Sequence, residues 1–160
     1  MAIQSAKGNN PERHYRFIVE FGLHTFTLKP NAHTGQTLSD FPVSMQYADS
    51  RETRIFCFDR HAHSINLPDI VMNIGKMSCY HTGKGNFFVI EVLGKDDVPI
   101  EYEVYFNVAR EKDGILKLFV ESAYVRDNKH ASSQPKKKKI NFFVIAYNTF
   151  QGKQIKIPPG

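Results

Sequence analysis

Four residues in the middle of the chain, Arg60-His61-Ala62-His63, carry the side chains best suited to acid–base chemistry. A histidine titrates near neutral pH, so a well-placed one acts as general acid or base and contributes about 10²–10⁴-fold to a rate. An arginine beside it can stabilise the negative charge that develops on a phosphate. These residue types suit RNA cleavage, in which the base removes the 2′-OH proton. The competing interpretation is a polar loop whose histidines cap the following helix or face water.

The same histidines belong to a candidate metal site. His61 and His63 precede a predicted helix, and Cys79 and His81 follow it. Tetrahedral zinc accepts such ligands, but the spacing matches neither a finger nor a knuckle. The sequence leaves open whether these four residues bind a metal, and we expect neither a resident metal nor a cofactor.

Ser122 and Tyr124 form a third candidate pair, at the end of a predicted hairpin. Residues 100–126 show strand alternation on both sides of the turn residues 111–114. Ser122 and Tyr124 continue the apolar face of the second strand, so hydroxyl groups stand where core residues are expected. Such hydroxyls can orient a scissile phosphate or contact a base. Alternatively, they mark the place where the core meets water.

Lysines supply the fourth candidate, a nucleic-acid contact. The residues are Lys129, Lys136, Lys137, Lys138, Lys139 and Lys153. Such a cluster would neutralise phosphates, and its affinity would fall as salt rises. The whole chain has 21 Lys and Arg against 16 Asp and Glu, a formal net charge of +5, which also favours a polyanionic partner. The alternative is a solvated loop, or an edge strand that its lysines protect from aggregation.

Strands must position most of these residues. Strand patterns are found at 14–21, 23–29, 43–47, 52–58, 86–93, 100–126, 140–150 and 153–157, with hairpins at 14–29 and 100–126. Apolar residues from 67 to 77 follow helical spacing instead, with Asn66 placed to cap the helix and Pro68 in its first turn. We predict an α+β fold with a curved antiparallel β-sheet, closed as a partial barrel, and one or two short helices.

The length and composition predict one folded domain. A chain of 160 residues that is 41% hydrophobic can bury a substantial core. We expect residues 1–12 to be a flexible N-terminal arm and residues 13–160 to form a single domain with a Lys-rich loop at 128–139. Because no apolar run approaches the roughly 18 residues that span a bilayer, we expect no membrane association. The absence of a signal-peptide pattern and the two cysteines favour a cytoplasmic protein.

The order of these parts resembles a known group of nucleases. The segments RHAHSINLPDI, YEVYFNV and LFVESAYV follow one another across residues 52–127. This order is similar to that of small phage and plasmid nuclease domains in the superfamily that joins barnase, EndoU, colicin RNases and RelE. Ser122-Ala123-Tyr124 resembles their Thr/Ser-x-Tyr motif.

The resemblance implies metal-independent RNA cleavage. His61 or His63 would be the base or acid, Arg60 would stabilise charge, and Ser122 and Tyr124 would be the hydroxyls on the substrate side. Residues 127–160 extend beyond the resemblance. An alternative therefore stays open, in which the chain has the nuclease scaffold but does not cleave RNA.

Two functions follow as hypotheses. The first is a small, toxin-like RNA endonuclease of a mobile element, carried by a plasmid or phage. The second is a non-catalytic DNA-binding transcriptional regulator on the same scaffold, for which a homodimer is an open alternative. Both bind nucleic acid, RNA or DNA, and the sequence leaves uncertain whether the protein is an enzyme. A protein-interaction module with an open sheet edge ranks third. No phosphate-binding GxxxxGK[ST] loop, GxSxG or HExxH motif is present, which disfavours a nucleotide-dependent enzyme.

Overall fold

The computed structural model of the chain describes residues 1–8, 11–83, 87–92, 101–126 and 138–158. Within these residues the strands are β1 (Ala2–Gln4), β2 (Arg13–His24), β3 (Thr27–Leu28), β4 (Gln46–Ala48), β5 (Thr53–Phe56), β6 (Cys79–His81), β7 (Phe87–Val92), β8 (Glu101–Arg110), β9 (Ile115–Val125) and β10 (Lys138–Ile140). The α-helices are α1 (Phe58–Ser64), α2 (Leu67–Asn73) and α3 (Phe142–Phe150). Single 3₁₀ turns lie at Ala32–Thr34, Leu38–Asp40, Val43–Met45, Ile74–Lys76 and Lys112–Gly114.

Seven strands form one strongly curled sheet, a half-barrel, in the order β1-β2-β9-β8-β7-β6-β10. The predicted α+β fold with a curved sheet and short helices is confirmed. Neighbouring strands in this sheet are antiparallel except β2 and β9, which run parallel with Phe17 opposite Leu116. The remaining strands form a small antiparallel sheet in the order β3-β5-β4.

The predicted hairpin at 100–126 is present as β8 and β9. Its turn uses Asp113 and Gly114, both with positive φ (57° and 68°), a conformation that asparagine, aspartate and glycine adopt most readily. On both sides of the turn, alternate side chains of β8 and β9 face the core. The hairpin therefore forms the centre of the sheet.

The core lies between one face of the curled sheet and the helices. The sheet contributes Val104, Phe106, Leu118 and Val120, and the helical segments contribute Leu67, Ile70, Ile74, Phe142 and Ile145. Complete burial of side chains of this size stabilises a fold by about 1.5–3 kcal/mol each. This layer fixes α2 and α3 against the sheet.

The helix predicted at 67–77 is confirmed as α2 and the 3₁₀ turn that follows it. Pro68 lies in the first turn, as predicted, but the Asn66 side chain does not cap the helix. It donates to the carbonyl of His63 instead. Near the C-terminal end, a Cβ atom on Gly75 would lie 2.8 Å from the ring of Phe143, so glycine permits this close approach.

The strand predicted at 140–150 is wrong, because residues Phe142–Phe150 form α3. The Asn141 side chain accepts a hydrogen bond from the backbone N–H of Phe143 at 2.8 Å, which caps the helix. Phe142, Ile145 and Ala146 are buried, and their i, i+3, i+4 spacing is helical. Tertiary packing thus overrides the strand propensity of a segment rich in aromatic and β-branched residues. The strand predicted at 153–157 is also absent from the described structure.

The N-terminal hairpin predicted at 14–29 is wrong as well. β2 runs without a break through Gly22, where a Cβ atom would lie 2.9 Å from the ring of Phe119. The chain turns at Thr25 and Phe26, and β3 then pairs with β5 in the small sheet. Gly22 therefore serves a close approach between neighbouring strands rather than a turn. The strand predicted at 43–47 begins later, at Gln46, after a 3₁₀ turn.

Within the segment expected to be an arm, β1 pairs with the start of β2, with Ile3 opposite His14. Most of the predicted Lys-rich loop at 128–139 lies outside the described residues. In the part of the chain that is described, no helix is long and apolar enough to cross a membrane.

Candidate functional site

Arg60, His61 and His63 lie on α1, a short helix that the sequence pattern did not predict, and not in the polar loop of the competing interpretation. The helix begins directly after β5, with Asp59 in its first turn and the two histidines in its last. These positions complement the helix dipole, which favours acidic groups at the start and basic groups at the end. The sequence of the segment thus suits a short helix. This helix packs on β9.

Arg60 joins α1 to two other parts of the fold. Its Nη1 donates to the carbonyls of His24 at 2.9 Å and Thr27 at 3.2 Å. The guanidinium carbon lies 5.4 Å from the centre of the Tyr124 ring. Burial lowers the pKa of Arg60 from its usual value. Two predicted site residues, Arg60 and Tyr124, are thus in contact.

His61 and His63 have different neighbours. The His61 ring is exposed and lies 5.0 Å from the ring of Phe56. The His63 ring is partly buried and lies 5.7 Å from the ring of Tyr102. Residues two apart on a helix do not face each other. The two histidines therefore do not form an acid–base pair that faces one substrate.

Ser122 and Tyr124 lie on the opposite sheet face from the one predicted. A register shift between Tyr105/Ser122 and Phe106/Val120 adds one residue to β9. Such a bulge reverses the alternation of side chains beyond it. Ala123, with no solvent exposure, takes the core position instead. The prediction of a core face that turns polar was wrong, because period-2 counting assumes an uninterrupted strand.

Tyr124 belongs to a partly buried polar network on that other face. Its ring stacks on Tyr105 at 5.7 Å, and its hydroxyl donates to the Tyr105 oxygen at 3.3 Å. The Tyr105 hydroxyl donates to Oε2 of Glu103 at 2.8 Å. Arg126 donates to both oxygens of this carboxylate, through Nε and Nη2, at 2.8 Å each. Glu103 itself has no solvent exposure.

The pKa values of this network define what it can do chemically. Burial acts to raise the pKa of Glu103, but hydrogen bonds from Arg126 and Tyr105 outweigh it and hold the pKa below its usual value. Burial raises the pKa of both Tyr105 and Tyr124. At neutral pH the network is a carboxylate held by one guanidinium and by neutral phenols. The tyrosines can therefore orient a group by hydrogen bonding but are poorly suited to proton transfer.

A second polar cluster borders Arg60 at the small sheet. Nε2 of His24 lies 2.5 Å from Oε1 of Glu52, and Nζ of Lys29 lies 3.0 Å from Oε2. The hydrogen bond from His24 is the main cause that lowers the pKa of Glu52 to about 2. Arg54 donates to the Thr27 hydroxyl at 2.9 Å. These contacts fix the turn that carries the carbonyl acceptors of Arg60.

The metal site suggested by the sequence has no counterpart in the described part of the chain. Cys79 and His81 lie on β6, while His61 and His63 lie on α1. Among the described residues, no group of three or more His, Cys, Asp or Glu side chains is placed to hold a metal ion. Neither Cys57 nor Cys79 forms a disulfide bond.

The predicted lysine cluster lies only partly within the described residues. Lys129, Lys136 and Lys137 lie outside the described residues. Lys138 and Lys139 lie on β10, at the edge of the sheet before α3, and Lys153 follows α3. In the chain, α3 lies between these two groups, and its nine residues at a 1.5 Å rise make it about 13.5 Å long.

Lys153 is part of a basic and aromatic surface that the sequence did not reveal. Arg13 lies 4.4 Å and Lys153 5.7 Å from the centre of the Tyr147 ring. Arg110 lies 5.8 Å from the centre of the Phe150 ring. We call these five residues the Tyr147 patch. A shallow depression of about 210 Å³ opens beside it, between Arg13 and the two rings.

The strand prediction for 140–150 concealed this patch. Read as a helix, Tyr147 and Phe150 fall at i and i+3, on one face at the C-terminal end. Basic groups are favoured at that end of a helix. A helix at this position, together with the nearby Lys153, would have predicted part of the patch from the sequence. Arg13 and Arg110 could not have been predicted, because the pairing of strands brings them to the rings. Glu103 and Arg126 gave no signal, because their meeting depends on the register of β8 and β9.

Comparison with known proteins identifies the chain's relatives. The model of the YjaZ family matches residues 1–150. Protein YjaZ of Escherichia coli (strain K12) is 32% identical over 159 residues, which cover 98% of this chain and 82% of the relative. No solved structure matches. The resemblance to nuclease domains is not tested by these matches and stays a prediction. Since both the family model and the relative extend over nearly the whole chain, the protein belongs to the YjaZ family.

Proposed function

We propose that the protein binds single-stranded nucleic acid on the Tyr147 patch. The observation that supports this most directly is the pair of cations, Arg13 and Lys153, beside one aromatic ring. A single strand is bound by cations that meet its phosphates and by planar groups on which its bases stack. Tyr147, Phe150 and the guanidinium groups supply such planes, and all lie at one end of α3.

The charge of the rest of the chain supports the same partner. The formal net charge is +5, and Lys138 and Lys139 lie beyond the other end of α3. A strand that ran along the helix would reach both groups. Contacts of this kind dominate affinity and make it dependent on salt.

Fluorescence anisotropy of labelled RNA and DNA, measured in chelator between about 50 and 200 mM salt, tests the proposal. Arg13→Ala and Lys153→Ala should each weaken binding and reduce the salt slope by roughly 0.7, the value for one lost phosphate contact on a single strand. Tyr147→Leu should weaken binding and leave the slope unchanged, because stacking releases no counterions.

Arg51→Ala is the matched control. Arg51 is exposed and paired with Asp49 in the region of the small sheet, far along the chain from the patch. It should bind as the unaltered protein does. Absence of binding at the lowest salt, or an equal loss for Arg51→Ala and Arg13→Ala, would refute the patch. Stronger binding of duplex DNA than of single strands would favour the DNA-binding regulator instead.

RNA cleavage is the second candidate function, and the contact between Arg60 and Tyr124 favours it. In this proposal one histidine of α1 acts as base or acid. The protein would then be the toxin-like, cytoplasmic RNA endonuclease expected from the sequence. The hydrogen bonds from Arg60 to two carbonyls limit its freedom to reach a phosphate. We therefore rank cleavage below binding.

His61→Ala and His63→Ala distinguish cleavage from binding. Because the two rings lie in different surroundings, we expect one substitution to reduce cleavage by about 10²–10⁴-fold and the other to have little effect. Retention of RNA should persist in both variants. A denaturing gel of labelled RNA in chelator reports the outcome, and RNA that stays intact at a large excess of protein eliminates this candidate.

A further inference from the structure

An apolar cleft of about 710 Å³ lies at the N-terminal end of α3, away from the Tyr147 patch. β1 and β2 form one wall, α2 with the following 3₁₀ turn forms another, and the start of α3 closes the third side. The apolar lining includes Phe17, Val19, Val71, Ile74, Leu118 and Phe143. This volume falls within the range of about 300–1,000 Å³ typical of small-molecule sites.

Apolar side chains also remain exposed around the mouth of the cleft. Met72 is 84% exposed, and Ile3 and Val144 are each 46% exposed. Large apolar groups clustered at a concave site usually mark a surface that a ligand covers. The cleft is thus open to an apolar ligand from outside.

The charges at the cleft are of one sign. Lys7 and Lys76 stand at its rim, and none of the described residues that line it is acidic. A ligand that complements this surface has a long apolar part and an anionic end. The ligand needs the apolar part as well as the anionic end, because exposed lysines alone contribute little affinity.

An acyl chain suits this apolar lining better than a peptide does, because it has no backbone groups that need partners. The Asn141 side chain already accepts from Phe143, and the Asn73 side chain donates to the carbonyl of Asp69. An inserted peptide would need partners for each backbone N–H and C=O that it buried. An acyl chain has no such groups.

We propose that the cleft binds a free fatty carboxylate, with the acyl chain along the apolar lining and the carboxylate beside Lys7 or Lys76. None of the five residues of the Tyr147 patch lines the cleft. The proposal is therefore independent of nucleic-acid binding.

Displacement of a dansyl-labelled fatty acid by unlabelled carboxylates provides the test. Octanoate, decanoate and dodecanoate should compete with affinities that rise about tenfold for each pair of added methylene groups. Dodecanol, which has the same chain without the charge, should compete more weakly than dodecanoate. Dodecyltrimethylammonium, which has the opposite charge, should compete least.

Substitutions at exposed positions keep the fold intact and locate the site. Met72→Asp and Val144→Asp place a carboxylate at the rim and should weaken dodecanoate binding at least tenfold. Lys7→Gln and Lys76→Gln together should remove the preference for dodecanoate over dodecanol. Phe58→Asp is the matched control, because Phe58 is an apolar residue, 72% exposed, that does not line the cleft. It should bind dodecanoate normally.

Five results would overturn the proposal, four of them from the binding measurements. These are displacement that does not saturate, equal affinity for dodecanoate and dodecanol, an equal loss in the Phe58→Asp control, and binding only to vesicles of anionic phospholipid. A dimer that forms without fatty acid and dissociates in Met72→Asp would also overturn it, since a second copy of the chain would then occupy the cleft. Sedimentation velocity measures that outcome directly.

Discussion

At the scale of single residues, the pairing of Glu103 with Arg126 places an ion pair inside the fold. Glu103 has no solvent exposure, and both of its oxygens accept from the Arg126 guanidinium. Removal of a carboxylate from water costs several kcal/mol, which a bidentate partner offsets. Loss of that partner would leave the buried carboxylate with the hydrogen bond from Tyr105 but without a guanidinium to offset its charge.

Arg126→Met should lower the free energy of unfolding by about 3–5 kcal/mol, the range for breaking a buried ion pair from one side. Urea denaturation at neutral pH measures this loss. Arg51→Met serves as control, because the Arg51–Asp49 pair is exposed, and its unfolding midpoint should stay unchanged. Similar midpoints for the two variants would mean that Glu103 gains little from Arg126.

The same variant should respond to pH in a characteristic way. In the unaltered protein the pKa of Glu103 is lowered, so its stabilising contribution is present above the unfolded pKa and is lost as pH falls. Without Arg126 the main cause that lowers this pKa is gone while burial still acts to raise it, so the pKa of Glu103 should be higher in the variant than in the unaltered protein. The difference in stability between the two proteins should therefore shrink from pH 7 towards pH 5. Urea midpoints across this range measure it, and a constant or growing difference would contradict this reasoning.

At the scale of elements, local signals decided which predictions succeeded. The hairpin of β8 and β9 and the helix α2 were predicted correctly, because turn residues, Pro68 and the spacing of apolar residues all agree. α3 was missed, because its aromatic and β-branched residues favour a strand when the core is unknown. Its helical form depends on packing against β8 and β9.

Asn141→Ala should destabilise the protein by about 1 kcal/mol, because it removes the side-chain cap of α3. Asn66→Ala is the comparison, since Asn66 occupies the equivalent position before α2 and its side chain donates to the exposed carbonyl of His63 at 3.3 Å instead of capping the helix. Chemical denaturation of both variants provides the comparison. Equal losses would show that the cap adds nothing beyond the intrinsic difference between Asn and Ala.

The candidate site was predictable in part, for reasons of geometry. Arg60 and Tyr124 were selected by residue type, and they do meet. The face occupied by Tyr124 depended on a bulge that no local pattern announces. Arg13 reaches Tyr147 only because β2 lies beside β9 and α3 packs on that part of the sheet. Contacts between distant segments of this kind cannot be read from spacing.

At the scale of the whole molecule, α3 separates two surfaces of different chemistry. The Tyr147 patch lies at its C-terminal end, and the apolar cleft lies at its N-terminal end. The N-terminal segment contributes to both, because Arg13 begins β2 and β1 forms part of the cleft wall. The first residues are thus integrated into the fold.

Deletion of residues 1–7 should therefore lower the thermal unfolding midpoint and abolish dodecanoate binding. The deletion removes β1, which pairs with β2, and one wall of the cleft. Nucleic-acid binding should be retained at temperatures where the shortened protein is folded, because the residues of the Tyr147 patch remain. Calorimetry measures the midpoint. An unchanged value would mean that residues 1–7 behave as the flexible arm expected from the sequence.

The parallel pairing of β2 with β9 has a consequence for synthesis. About a hundred residues separate Arg16 from its partner Ile115, so a ribosome must make most of the protein before the two strands can meet. β2 therefore waits through translation with the backbone edge that β9 will cover still available, although β1, made earlier, can pair with the start of its other edge. Strands in this situation are the ones most exposed to wrong partners. For this chain, the hazardous interval ends only when β9 has emerged.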